Sequence, residues 1–331
     1  MRAAVSLLTR LPLTTASSSS PRLSTFPLLH LRSLTVAAST SSSSSPYVTV
    51  PTQHQQPTDQ LPSSETEGGT RRWRPMCLYH TQDRCTKMDD HTHLEKFNHD
   101  FAKDLRVNVV DAGRMSPQDM DYFLVLDLEG KVEILEFPVL LLDAKTLAVV
   151  DLFHRFVRPS QMSDQRINEY VEGKYGNFGV DRVWHDTAIS FNDTVDQFEG
   201  WLKKHRLWVK EQGGQLDRAA FVTCGNWDLK TKIPQQCWVS RMKPPPYFVE
   251  WINLKDVYLN FYHRQAKGMM SMMSQLGIPV FGSHHLGIDD TKNITRVLQQ
   301  MLIDGAHMRI TARRKPEFPG GVQFFFEDRI I

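Results

Sequence analysis

Four cysteines in a chain of 331 residues, Cys77, Cys85, Cys224 and Cys237, are too few for a disulfide framework, and a reducing compartment is the simpler reading. Long apolar runs are missing as well. The longest, around Phe137 to Leu142, is far too short to cross a bilayer, so no membrane association is expected and the run reads as a strand. There is no real charge excess either. The formal charge is +2, but Arg2, Arg10, Arg22 and Arg32 sit in a leader without a single acidic residue, and setting them aside leaves 35 basic against 37 acidic residues. A chain so near neutrality holds no polyanion by a global field, so any nucleic acid must be gripped by a local groove and by metal ions.

What is present divides the chain. Residues 1–50 carry arginine but no Asp, Glu or Lys, and contain the serine runs Ser17 to Ser20 and Ser41 to Ser45, the composition of an organelle transit peptide. Abundant serine points to a chloroplast, with a mitochondrion as the alternative. Residues 51–74, rich in Gln, Pro, Thr and Glu, read as a disordered linker. A compact Cys/His segment is expected over 75–100, the main domain over 120–312 and a tail over 313–331.

Within the main domain the continuously apolar Phe123 to Leu126 predicts a central strand covered on both faces. Glu136 to Leu142, Val149 to Val157 and Ala219 to Thr223 predict three more. Val195, Phe198, Trp201, Leu202 and His205 recur at helical spacing, and further helices are expected near Leu229 to Met242, Ala266 to Leu276 and Thr291 to Leu302. Strands first, then alternation of helix and strand, indicate an α/β domain with a mixed sheet.

Chemistry gathers at the strand ends. Asp127 and Glu129 follow the apolar strand, and residues two apart leave a strand on the same face, at the carboxyl end where open α/β sheets place ligands. Like charges so close both stay ionised only with a cation between them. Asp228 follows the strand Ala219 to Thr223 across the turn Cys224-Gly-Asn-Trp227. Asp290 starts a helix on the same side as Ile294, Val297 and Met301, although Asp289 and Asp290 also suit helix capping. His285 lies in the glycine-flanked stretch Gly282-Ser-His-His-Leu-Gly287.

Asp127-Leu-Glu129, Glu133-Ile-Leu-Glu-Phe-Pro138, Gly225-Asn-Trp-Asp228 and His285-Leu-Gly-Ile-Asp-Asp-Thr-Lys-Asn293 together resemble the DEDDh exonucleases, in particular the enhanced-RNAi type and its plant organellar member. The likeness runs from about Tyr122 to Ile310. It implies a ribonuclease H-like fold with a five-stranded mixed sheet and flanking helices. It also implies two Mg²⁺ or Mn²⁺ ions held by Asp127, Glu129, Asp228 and Asp290, with His285 as general base and His284 as its rival. Trp227 fits a position beside the metals where a base stacks, or else a buried structural one. Oxygen ligands suit Mg²⁺, and an imidazole titrating near about 6.5 suits proton abstraction from water at neutral pH. The expected activity is 3′-to-5′ trimming of single-stranded RNA ends, in organellar ribosomal or other structured RNA. A DNA 3′ exonuclease, and an inactive protein that binds nucleic acid or ADP-ribose, are the alternatives. The segment Arg182 to Phe191 departs from the usual family pattern for substrate contact.

Cys77-x7-Cys85-x7-His93-x5-His99 offers two thiolates and two imidazoles suited to one tetrahedral Zn²⁺, with His80 and His91 as spare candidates. The spacing is looser than a standard finger. It resembles the small Cys₂His₂ finger known for poly(ADP-ribose) binding, including the aromatic Tyr79 and basic Arg84 between the cysteines.

Overall fold

A computed structural model describes residues 73–107, 115–315 and 321–329. The expected transit peptide at 1–50 and nearly all of the linker lie outside these residues. No helix among those described is long and apolar enough to cross a membrane.

One mixed sheet organises the domain. Its strands are β1 (Tyr122–Leu126), β2 (Glu136–Asp143), β3 (Val149–Phe156), β4 (Ala219–Thr223), β5 (Glu250–Asn253), β6 (Ala312–Arg314) and β7 (Val322–Phe324), in the order β3-β2-β1-β4-β5-β6-β7. β1, β4 and β5 run parallel, β2 runs antiparallel to β1, and β3, antiparallel to β2, runs in the direction of β1 again. The expected five strands are thus β1 to β5, and β6 and β7 extend the same sheet past the boundary expected at 312.

Strand alternation sorts side chains onto two cores. Leu124, Leu126, Phe137, Val139 and Phe221 face α5 (Phe191–Lys204), whose Val195, Phe198 and Leu202 lie at helical spacing. Phe123, Val125, Leu140, Ala220 and Val222 face α9 (Gly287–Ile303), which lays Ile294, Val297, Leu298 and Met301 against them, and α8 (Met269–Leu276) adds Met272 and Met273 to the same core. Because β1 is covered on both sides, it carries no polar residue between Phe123 and Leu126. Its first polar residue is therefore Asp127, where the strand leaves the sheet.

A third core joins the Cys/His segment to the domain. That segment holds the single turn α1 (Leu78–Thr81) and the short helix α2 (His91–Lys96). Met76 and Leu78 bury against Leu135, Phe156, Leu286 and Ile288 and against α3 (Asp164–Tyr175) and α4 (Asp181–Thr187). Burial of two such side chains contributes on the order of 1.5–3 kcal/mol each, and Arg155 adds an ion pair to Asp83 at 2.7 Å and a bond to the Thr81 carbonyl at 3.2 Å. The segment is a docked layer of the domain.

Candidate active site

Parallel pairing of β1 with β4, Val125 opposite Val222, brings the two carboxyl ends to one edge. Asp127 and Glu129 emerge there, partly buried. Across the turn after β4, Asp228 opens a five-residue π-helical stretch, Asp228–Lys232, leading into α6 (Ile233–Val239). Such wider turns recur at functional sites. Asp228 Oδ1 accepts from Leu128 N–H at 3.1 Å.

The fourth acid comes from α9. Ligand atoms of Asp127, Glu129 and Asp290 all lie within 4.8 Å of one another. Gly287 permits the approach: a Cβ there would stand 3.0 Å from Glu129 Cγ and 3.2 Å from the Asp127 carbonyl oxygen. Asp228 stands outside that trio but next to it, and its charge acts on Asp127. Burial, then the charges of Asp228, Glu129 and Asp290, push the Asp127 carboxyl well above its ordinary range. Burial raises Glu129 to about 7, against the opposing pull of Lys174, and raises Asp228 to about 6. Asp290 is raised by burial and restrained by hydrogen bonds from His284 and from the His285 backbone. Four carboxylates that disfavour each other's ionisation form a site that a multivalent cation would relieve, and the all-oxygen donor set suits Mg²⁺ or Mn²⁺.

The two histidines divide their contacts. His284 Nδ1 lies 3.0 Å from both Asp290 oxygens, and the His285 ring stacks on His284 with centroids 3.9 Å apart. His285 has φ +73, a left-handed conformation that costs a residue with a Cβ about 1–2 kcal/mol. Offsetting bonds come from its N–H to Asp290 Oδ2 at 2.8 Å and from Lys174 Nζ to its carbonyl at 2.9 Å. The His285 side chain lines a 520 Å³ cleft with Glu129, Lys131, Tyr170, Lys174 and Phe178. Burial, then His284, lowers its pKa. Trp227 is 46% exposed, with Lys232 Nζ 4.8 Å from its ring centroid, so the buried alternative for this residue does not hold.

Neither Asp289 nor Asp290 caps α9. Asp289 Oδ2 accepts from Ser283 N–H at 2.9 Å, and the cap comes from the sheet. Glu136, fully buried on β2, accepts from Gly287 N–H at 2.9 Å and Ile288 N–H at 2.8 Å, placing a carboxylate at the positive end of the helix dipole. Burial alone would raise its pKa, but His154 and these N–H groups outweigh burial and hold it low. Behind it, Phe156 N–H donates to Gln82 Oε1 at 3.1 Å, turning the Gln82 amide nitrogen toward His154 Nδ1 at 3.1 Å. Nδ1 therefore accepts, and Nε2 donates to Glu136 Oε1 at 3.0 Å. Gln82 and Thr81, whose Oγ1 is 2.7 Å from His154 Nδ1, belong to the Cys/His segment, so a buried chain of hydrogen bonds runs from that segment to the helix bearing Asp290.

Sequence reasoning missed two further participants. Lys174 Nζ lies 2.7 Å from Glu129 Oε2, and Glu136 was read only as part of a motif.

In the Cys/His segment all four expected ligands converge. His93 Nε2 and His99 Nε2 are 3.2 Å apart, and the sulfur-to-nitrogen distances are 3.4 Å for Cys77–His93, 3.5 Å for Cys85–His93 and 3.6 Å for Cys85–His99. Tetrahedral zinc with ordinary bond lengths would set these edges at about 3.3 Å for N···N and about 3.5 Å for S···N. The spares His80 and His91 are not in the cluster.

Residues 123–298 match the RNase T exonuclease family. The chain is 65% identical to an uncharacterized exonuclease domain-containing protein of Arabidopsis thaliana, over 78% of this chain and 77% of that one. It is 33% identical to the 3′-5′ exoribonuclease 1 of Homo sapiens, over 58% of this chain and 56% of the human protein. Among solved structures, the nuclease domain of 3′hExo, a DEDDh family member bound to rAMP, superposes with a TM-score of 0.50 at 32% identity, covering 59% of this chain and 98% of that domain. With the family matched over the strands and helices that carry Asp127, Glu129, Asp228, His285 and Asp290, the chain belongs to the DEDDh branch of the RNase T exonucleases and is a 3′-5′ exonuclease.

Proposed function

We propose that the protein is a 3′-to-5′ exoribonuclease that trims single-stranded RNA 3′ ends, of organellar ribosomal or other structured RNA, and that residues 1–50 deliver it to the chloroplast. The observation that carries the reading is the meeting of Asp127, Glu129 and Asp290 within 4.8 Å at a cleft rimmed by His285. RNA is favoured over DNA because the related human protein is an exoribonuclease and the related 3′hExo domain is bound to a ribonucleotide.

In this reading Asp127, Glu129, Asp228 and Asp290 hold two Mg²⁺ or Mn²⁺ ions. Bound there, the ions supply activation of the attacking water and stabilisation of the leaving 3′ oxygen. His285 takes the proton from that water; its lowered pKa keeps the imidazole neutral and able to accept near pH 7. His284 orients Asp290 through its Nδ1. Lys174 restrains Glu129 and the His285 carbonyl in one geometry. Trp227, exposed beside Asp228, offers a face for the terminal base. The Cys/His cluster holds one Zn²⁺, whose four ligands close the coordination sphere and leave it a structural role.

End-labelled RNA and DNA of one sequence, incubated with purified protein, Mg²⁺ or EDTA, test the reading. Stepwise shortening of RNA from the 3′ end, stopped by EDTA, is expected. Equal or faster loss of DNA would favour the DNA exonuclease, and no cleavage of either would leave the binding protein. For the address, residues 1–50 fused to a fluorescent reporter should accumulate in chloroplasts; mitochondrial or cytosolic fluorescence would refute it.

A further inference from the structure

The catalytic cleft does not end at the carboxylates. Phe178, 39% exposed, forms part of its wall and also part of the wall of a neighbouring 390 Å³ cavity between the Cys/His segment and α4. The chain reverses directly after it at Gly179, whose φ of +65 suits glycine. Trp73, Tyr79 and Phe97 add aromatic walls to that cavity, and Lys87 and Arg182 add charge. A second 390 Å³ cavity continues from it, sharing Tyr79, Lys87 and Arg182 and adding Arg84.

The charges along this route are mostly unanswered. Neither Arg84 nor Lys87 has a carboxylate partner among the described residues, and Arg182 has only an exposed contact to Asp186 at 3.8 Å. Asp186 also accepts from the Tyr79 hydroxyl at 2.5 Å, which fixes that ring at the junction of the two cavities. Asp289, the acid lining the first cavity, is buried and bonded to Ser283 N–H. Exposed cations alternating with aromatic faces, continuous with a nuclease cleft, match one ligand chemistry: the phosphates and unstacked bases of a single strand. A duplex offers no free base faces to such walls.

We infer that the nucleotides upstream of the scissile bond leave the carboxylate cleft over Phe178 and lie between α4 and the Cys/His segment, their bases against Phe178, Tyr79 and Trp73 and their phosphates toward Lys87, Arg182 and Arg84. The inference rests on the exoribonuclease reading and adds to it a substrate track several nucleotides long. On this account the Cys/His segment measures how much single strand precedes the end being trimmed.

The test is direct binding of fluorescent oligoribonucleotides of two to eight nucleotides to the full chain, in an Asp127→Asn background so that the RNA survives. Affinity should tighten with length in that background. In Lys87→Ala/Arg182→Ala most of the gain should vanish, and the slope of log affinity against log salt should fall by about 1.4, two phosphate contacts at roughly 0.7 each. Phe178→Ala should weaken binding of a hexamer at least about fivefold, the lower end for one stacked base. Affinity independent of length, or variants with unchanged length dependence and salt slope, would overturn the track. So would tighter binding of ADP-ribose polymer than of RNA. Cleavage of a dinucleotide by the wild-type chain, with Asp127 intact, tests the exonuclease reading by itself, so the two can fail separately.

Discussion

The Cys/His cluster and the carboxylate cluster both gather four candidate ligands, and they differ in everything else. Cys77, Cys85, His93 and His99 face inward at 3.2–3.6 Å wherever a contact is made, on a segment with few apolar residues of its own. Asp127 and Glu129 follow β1, Asp228 opens the π-helical stretch after β4 and Asp290 lies on a 17-residue helix, and Glu129 opens the group onto a 520 Å³ cleft. Soft ligands in a closed set stabilise a fold, because the binding energy of the metal is folding energy. Hard ligands beside an open cleft leave room for substrate. The hydrogen-bonded chain through Gln82, His154 and Glu136 then links the two, so the closed site supports the helix on which the open one depends.

The largest effect should come from the acids. Asp127→Asn or Asp228→Asn is expected to bring cleavage below detection while the metal-free protein melts no lower than wild type, since each change removes a buried like charge. Measured turnover near wild type in either variant would break the assignment of the open site. Next, His285→Ala should slow cleavage about 10²-fold or more, well beyond His284→Ala. A larger loss in His284→Ala would mean that the base is the residue bonded to Asp290.

The closed site should behave differently. Cys77→Ala/Cys85→Ala should lose zinc by metal analysis and melt lower, yet still cleave a dinucleotide. Its rate should fall by roughly 2- to 30-fold, the scale of couplings of about 0.5–2 kcal/mol carried through a packed network. Undiminished cleavage would show that the Gln82–His154–Glu136 chain transmits nothing, and complete loss would erase the distinction between the sites.

A smaller effect concerns pH. Glu129 and Asp228 titrate in the folded state at about 7 and about 6, above their unfolded values near about 4. The folded protein therefore binds more protons in that window, and the metal-free form should lose stability as pH rises from about 4 to 7. Mg²⁺ should accordingly raise the melting temperature more at pH 8 than at pH 5.5. An equal rise at both would argue against a carboxylate site.

The meeting of Asp127, Glu129 and Asp290 was legible in sequence because two simple periods place them: residues two apart at the end of β1, and 100° steps along α9. The convergence of Cys77, Cys85, His93 and His99 was legible from residue type and spacing. Glu136 was not, because its N–H partners lie 151 and 152 residues away and its neighbours on β2 read as an ordinary buried strand. Lys174 was missed with the whole of α3, whose buried side is only Ile167, Val171 and Tyr175 and which carries Gly173. The four-residue β5 runs directly into α7 (Leu254–Tyr262), and β6 and β7 have three residues each, too short for alternation to register. The docking of the Cys/His segment has no local signature, since it depends on Met76 and Leu78 meeting residues from four other elements.

Anomalous diffraction from crystals grown with Mn²⁺ tests the account most directly. Data at the manganese edge should show scatterers among Asp127, Glu129, Asp228 and Asp290. The signal gained on crossing the zinc edge should come from a single site between Cys77, Cys85, His93 and His99. A carboxylate cluster without manganese, or a zinc signal there and none at the cysteines, would contradict the division of the molecule into an open hydrolytic site and a closed structural one.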